Sequence, residues 1–290
     1  MSWLIIGTVP KKKFPLICGQ AVMNGRELMV DGRVLPIGRG TPALIAAACI
    51  TANILKIKPP DALLCGDIGD GDGSRKIYRH LVETGLQQKQ TYSELIFHYL
   101  QPDVDWHNRI LLAIEQLPVR PLLIADAGYM YVAKMSGYAS SYDLFTPDAG
   151  ELAFLADEKA PHPFYTRGFL LHEDHSVPEL IQKAFADGNA ARHLLVKGKS
   201  DYIVVDGIIA DIVSTPIVEA MEPIGGTGDS VAGVAAALIA SRQAISDACS
   251  LAARINRMMG LLADPTPAFS IRDLLFCLPH AILSLQTLDS

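Results

Sequence analysis

Short, uninterrupted apolar runs separated by helix-forming stretches recur through this chain, and they restrict its fold more than any other feature. Ala62-Leu63-Leu64-Cys65, Leu122-Leu123-Ile124-Ala125, Asp143-Leu144-Phe145 and the run 193–196 are continuous rather than alternating. A strand that is apolar on both faces must be covered on both, which predicts a mostly parallel central sheet with helices on either side. The intervening helices are expected at 74–84, 105–117, 129–135, 149–155 and 177–186. A further helix is expected at 43–57, with Thr41 as its N-cap and Pro42 at its first position. Trp3 to Thr8 reads as an edge strand. Asp31-Gly32 and Asp206-Gly207 each join two β-prone runs, the sequence signal of a small hairpin. Two long helices, 228–242 and 245–262, and a shorter pair close the chain. Neither a linker nor a repeat interrupts it, so residues 1–290 are expected to form one α/β domain.

Composition removes several function classes. Of 290 residues, 50% are hydrophobic and 19% charged, far too apolar for a disordered chain. The 25 Lys+Arg against 31 Asp+Glu leave a net charge of −6, and the only basic run is Lys11-Lys12-Lys13. Nucleic acid and anionic membranes are therefore not expected partners, because both require clustered cations. The longest apolar stretches, 43–52 and 231–240, fall short of the roughly 20 residues that span a bilayer and read as buried helices. The first apolar run precedes its lysines, the reverse of a secretory signal. Five scattered cysteines without paired spacing suit a reducing, cytoplasmic setting.

The stretch richest in chemical meaning is Ile224-Gly225-Gly226-Thr227-Gly228-Asp229, followed by an Ala-rich helix. Glycines let the backbone approach a ligand closely, and the helix start offers unpaired N–H groups at the positive end of its dipole, which together make an anion site. An Asp at such a site repels a phosphate, so it is better explained as a base acting on a neighbouring hydroxyl. The alternative is that Thr227 or Asp229 simply caps the helix.

Gly225-Gly226-Thr227-Gly228-Asp229-x-x-Ala-Gly resembles the G-G-T-G-D-x-L-A-G signature of the ribokinase-like superfamily, in the branch that contains the ADP- or ATP-dependent NAD(P)H-hydrate dehydratases. Three further segments agree in order: Leu123-Ile124-Ala125-Asp126-Ala127 resembles the family's strand ending in Asp-Ala, Thr146-Pro147-Asp148-Ala149-Gly150-Glu151 its T-P-H-P-G-E segment, and Leu194-Leu195-Val196-Lys197-Gly198 its strand ending in Lys-Gly. The similarity spans about residues 122–262. Asp148 stands where the family has His, and Gly128 where it often has a residue that reaches the substrate. The first third matches only loosely.

The resemblance implies a ribokinase-like fold and a nucleotide-dependent enzyme acting on a small molecule. Asp229 would be the base that activates a substrate hydroxyl, Gly225, Gly226, Thr227 and Gly228 would bind phosphate through the backbone, and Lys197 would lie near the nucleotide phosphates. Asp126 and Asp148 would contact substrate, and Glu151 would hold Mg²⁺ through water. ADP or ATP and Mg²⁺ would be the cofactors, and a homo-oligomer follows only by family analogy. The implied reaction is dehydration of NAD(P)H-hydrate, a lyase step in nicotinamide cofactor repair. The alternatives are a sugar or vitamin-precursor kinase of the same superfamily and a non-catalytic nucleotide-binding module.

Three other groups carry weaker signals. The loop 66–73 holds Asp67, Asp70 and Asp72 among glycines; it lacks the distal Glu of a calcium loop, and a capping turn is the favoured reading. His162, His172 and His175, with Glu173 and Asp174, lie in a Pro-rich stretch that reads as a surface loop or lid in preference to a metal site. His98, Trp106 and His107 are expected to be packing residues.

Overall fold

The computed structural model describes residues 2–86, 91–160, 176–266 and 268–286. The His162–His175 group therefore falls outside the described residues. In chain order the strands are β1 (Ser2–Val9), β2 (Ile17–Asn24), β3 (Glu27–Val30), β4 (Arg33–Leu35), β5 (Asp61–Gly66), β6 (Tyr92–His98), β7 (Leu122–Ala125), β8 (Leu144–Phe145), β9 (His193–Val196), β10 (Asp201–Val205) and β11 (Ile208–Val213). The α-helices are α1 (Thr41–Ile54), α2 (Asp72–His80), α3 (Val104–Glu115), α4 (Gly128–Met135), α5 (Ala149–Leu155), α6 (Val177–Ala186), α7 (Thr227–Ala240), α8 (Ile245–Ala263), α9 (Ile271–Leu274) and α10 (Leu278–Gln286).

The eleven strands among the described residues join one sheet in the order β11-β10-β9-β8-β7-β6-β1-β5-β2-β3-β4. The six strands from β9 to β5 in this order run parallel, and antiparallel strands flank them on both sides. Successive residues of the parallel strands enter different cores. Ile5, Leu64, Ile96, Ile124 and Leu195 pack with α1, α7 and α8 on one face. Leu4, Ile6, Leu63, Phe97, Leu123 and Leu194 pack with α2 to α6 on the other. Each such side chain removed from water is worth about 1.5–3 kcal/mol, so both faces hold the sheet.

Two expectations require correction. The first strand is central, hydrogen-bonded to β5 and β6, and not an edge. Every residue from Trp3 to Val9 is buried, so both faces of the strand are covered. Thr41 is not the N-cap of α1; Gly40 is, and the Thr41 hydroxyl points elsewhere. Both hairpins form as expected, with Asp31, Gly32, Asp206 and Gly207 at positive φ. The strand β6 was not anticipated, although Leu95-Ile96-Phe97 is the same type of apolar run as the others.

Helices α1 and α7 lie side by side in the first core. Gly233, the final glycine of the G-G-T-G-D-x-x-A-G stretch, makes this possible: a Cβ there would run into the Leu44 carbonyl and lie 3.1 Å from the Ala47 Cβ. The close crossing brings the N-termini of both helices to the carboxyl end of the parallel strands. Ligands of open α/β sheets are found outside that edge. No described helix is long and apolar enough to cross a membrane.

Candidate active site

Four strand ends and two helix starts supply the residues of the site. His98 ends β6, Asp126 follows β7, the segment from Asp148 to Glu151 follows β8, and Lys197 follows β9. Asp229 sits in the first turn of α7, opposite the Gly40-Thr41 start of α1. Continuation of the sheet helps fix them: Lys197 N–H donates to the Pro147 carbonyl at 2.8 Å, and Asp126 N–H to that of Phe97 at 3.0 Å.

Asp229 does not cap its own helix. Gly226 is the N-cap, in a left-handed conformation and without a side-chain cap, while the Thr227 hydroxyl donates to the Ile224 carbonyl at 3.2 Å. The Asp229 carboxylate instead reaches across to other parts of the chain. Oδ2 accepts the Gly40 N–H at 2.6 Å, and Oδ1 lies 3.1 Å from His98 Nε2. Burial works against ionisation, but the His98 hydrogen bond, the nearby Lys197 and the Gly40 amide outweigh it and hold the carboxyl below the usual aspartate range.

A second charged pair lies beside it. Lys197 Nζ is 3.0 Å and 3.1 Å from the two oxygens of Asp126, which is 2% exposed. Burial alone would lower the lysine, but Asp126 and Glu151 reverse this and raise it above its ordinary range. The same ammonium is 3.6 Å from where a Cβ on Gly228 would stand, so the lysine lies directly over the glycine loop. Arg257, from α8, fixes the turn that follows: its guanidinium donates to the Gly198 and Lys199 carbonyls at 3.0 and 2.9 Å and pairs with Asp201 at 2.9 Å.

Asp148 and Glu151 form a reciprocal capping box on α5. Asp148 Oδ1 accepts the Glu151 N–H at 2.7 Å, and Glu151 Oε2 accepts the Asp148 N–H at 2.8 Å. Each keeps a second oxygen that this box does not use. Asp148 is exposed and Glu151 half-buried. Desolvation, reinforced by Asp126 and Asp148 and opposed by Lys197, pushes Glu151 up to about 8. Clustered carboxylate oxygens of this kind suit a hard divalent cation, which would take the place of the proton.

His98, Asp126 and Asp229 also converge, with one ligand atom from each within 4.8 Å of the others. The Lys197 ammonium already serves as the cation for Asp126, and His98 is committed to Thr41 and Asp229. His98 is thus a site residue that sequence reasoning missed, because its strand was not anticipated and a lone histidine carries no motif. His107 is a packing residue as expected: it is buried, 2.9 Å from the Tyr142 hydroxyl, and pushed down to about 4 by desolvation. The acidic loop 66–73 is a capping turn. Asp67 accepts from the N–H groups of Gly69, Gly71 and Ser74 and from the Ser74 hydroxyl, at 2.8–3.1 Å, leaving little for a metal.

Among known proteins, the chain is 37% identical over 240 residues to the uncharacterized protein MJ1337 of Methanocaldococcus jannaschii, covering 82% of this chain and 98% of that one. The chain belongs to the same family. No protein-family model matches it. Its fold is ribokinase-like. The ADP/ATP-dependent NAD(P)H-hydrate dehydratase of Bacillus subtilis, solved with ATP/Mg²⁺, superposes with a TM-score of 0.57 at 14% identity, over 97% of this chain and 88% of that one. Phosphofructokinase-2 of Escherichia coli, in complex with potassium, gives 0.56 at 13% identity over 97% and 99%. Pyridoxal kinase of Staphylococcus aureus, with AMP-PCP and pyridoxal, gives 0.52 at 13% identity over 88% and 87%.

Proposed function

We propose that this protein is an enzyme that transfers the terminal phosphoryl group of ADP or ATP to a hydroxyl of a small molecule. The observation that carries this reading is Asp229: an ionised carboxylate, held by two donors from distant segments, beside the amide-rich start of α7. Asp229 takes the hydroxyl proton as the oxygen attacks phosphorus and the bond to the nucleotide oxygen breaks. The N–H groups of Gly226, Thr227 and Gly228 face the charge that accumulates on the transferred group. This fixed electrostatic stabilisation is typically the largest contribution to such a reaction. Lys197, held over Gly228, supplies a cation to the nucleotide phosphates.

Mg²⁺ fits the oxygen donors at Glu151, through water, and would neutralise the phosphate charge when bound. Asp126 and Asp148 lie on the same edge and are assigned to substrate. The leading outcome is the dehydratase reaction, in which the phosphorylated hydroxyl of hydrated NAD(P)H leaves as phosphate and the reduced nicotinamide is regenerated. A kinase that leaves a stable phosphate ester is the second reading. One observation favours it: Gly40 and His98, which hold Asp229, come from the first third of the chain, where the resemblance to the dehydratases is weakest. A binding-only module would need the glycines but not an ionised Asp229.

Incubation with ADP or ATP and Mg²⁺, with and without hydrated NADH, tests the assignment. Recovery of NADH absorbance with phosphate release supports the dehydratase, and a phosphorylated acceptor supports the kinase. Binding of nucleotide without turnover on any hydroxylated acceptor would overturn both.

A further inference from the structure

Asp229 is held from one side by a pair of residues that the phosphoryl-transfer reading does not by itself require. His98 is fully buried at the end of β6. Its Nε2 is 3.1 Å from Asp229 Oδ1, and its Nδ1 is 3.0 Å from the Thr41 hydroxyl. An ionised carboxylate only accepts, so Nε2 carries the proton. In the neutral ring a proton on Nε2 leaves Nδ1 as an acceptor, and the Thr41 hydroxyl donates to it. The other groups facing the ring are Asp126, whose Oδ2 is 3.8 Å from Nε2 and which is itself paired with Lys197, and the edge-packed ring of Tyr99.

The arrangement depends on an absent side chain. Gly7, in the central strand β1, passes directly beneath the pair. A Cβ there would lie 2.6 Å from Thr41 Oγ1 and 2.5 Å from the His98 carbonyl oxygen. No other residue type lets the start of α1 and the end of β6 come together at this point.

We propose that His98, oriented by Thr41, is the positioning residue of Asp229, fixing the plane of its carboxylate so that its remaining lone pairs meet the substrate hydroxyl. This rests on the reading of Asp229 as the base. It makes Thr41-His98-Asp229 a directional chain of hydrogen bonds, in which the carboxylate fixes the tautomer and the threonine hydroxyl donates to the ring nitrogen that remains, holding the ring in place. The chain also favours the ionised form of Asp229, because each hydrogen bond into a carboxylate stabilises its charge.

The test separates the two layers. Carboxyl ¹³C NMR of protein labelled at aspartate, with the Asp229 signal assigned through Asp229→Asn, reads the Asp229 midpoint without any substrate. Thr41→Val and His98→Leu are expected to raise that midpoint by about one pH unit, while His98→Gln, whose amide N–H replaces Nε2–H, restores most of the shift. In turnover, the acid limb of the pH profile moves in the same direction and kcat falls about tenfold or more, with little change in the KM for nucleotide. Should His98→Leu not fold, Thr41→Val decides the matter, since it removes one hydroxyl and keeps the shape. An unmoved Asp229 midpoint in the folded variants overturns the positioning role and leaves the base intact. Unchanged turnover in Asp229→Asn overturns the base assignment itself, and the catalytic meaning of the pair with it.

Discussion

The chain contains two glycine-aspartate loops, each leading into a helix, and their carboxylates are treated in opposite ways. Asp67, between β5 and α2, accepts four hydrogen bonds from donors no more than seven residues away. Asp229, at the start of α7, accepts none from its own loop among the hydrogen bonds of the site, and is held by Gly40 and His98. A carboxylate saturated by its local backbone organises a turn and has no capacity left for a reactant. One fixed by distant partners is oriented while keeping lone pairs open to the cleft. The count of aspartates in a loop therefore carries less meaning than where their hydrogen bonds go.

The largest effect that would break this contrast is expected at Asp229. Asp229→Asn should lower kcat by about 10²–10⁴-fold in a phosphate-release assay, whereas loss of a capping aspartate leaves the kcat of the folded molecules unchanged. Next is Lys197→Met, which strands Asp126 in the interior. A loss of about 3–5 kcal/mol in urea unfolding is expected, along with weakened nucleotide binding. Asp67→Ala should cost about 1–3 kcal/mol by leaving buried amides unpaired, yet keep kcat for the molecules that remain folded.

The Asp67 carboxyl also predicts a pH dependence. Burial alone would raise it, but the bonds from Ser74, Gly69 and Gly71 outweigh this and hold it below its ordinary value. Its contribution to stability is therefore complete above that value and is lost as pH falls below about 4. Asp67→Ala should flatten that acid slope in a series of urea melts. A last effect has the opposite sign. Glu151 is pushed up from 4.5 to about 8, so its protonated form favours the folded state, and the stability it lends is lost as pH rises through that interval. Glu151→Gln should remove this decline between about pH 4.5 and 8 without altering the one below about 4.

What the sequence made legible follows the same division. The Gly225-Asp229 stretch, Lys197 and Asp126 were readable because each is a short local pattern at a strand end or helix start, and the parallel sheet brings them to one edge. The hold on Asp229 was not readable. It links residue 229 to residues 40 and 98, and no spacing along the chain encodes such a contact. His98 was assigned to packing because β6 went unseen, although its apolar core was as clear as that of β7. The apolar run of β1 called for cover on both faces, but not for a central place in the sheet, which its pairing with β5 and β6 decides. Thr41 shows the limit of local rules, since a residue suited to capping α1 gave that place to Gly40 and bonded instead to His98.

The bond from Gly40 to Asp229 spans 189 residues of chain. Between its ends lie the parallel strands that follow β1, from β5 to β9. Closing a contact of such long sequence separation from the unfolded chain is entropically costly. The carboxylate at the centre of the site therefore has no partly built version. The oriented base exists only in a chain in which α7 has docked against α1, so recovery of activity on refolding reports that docking.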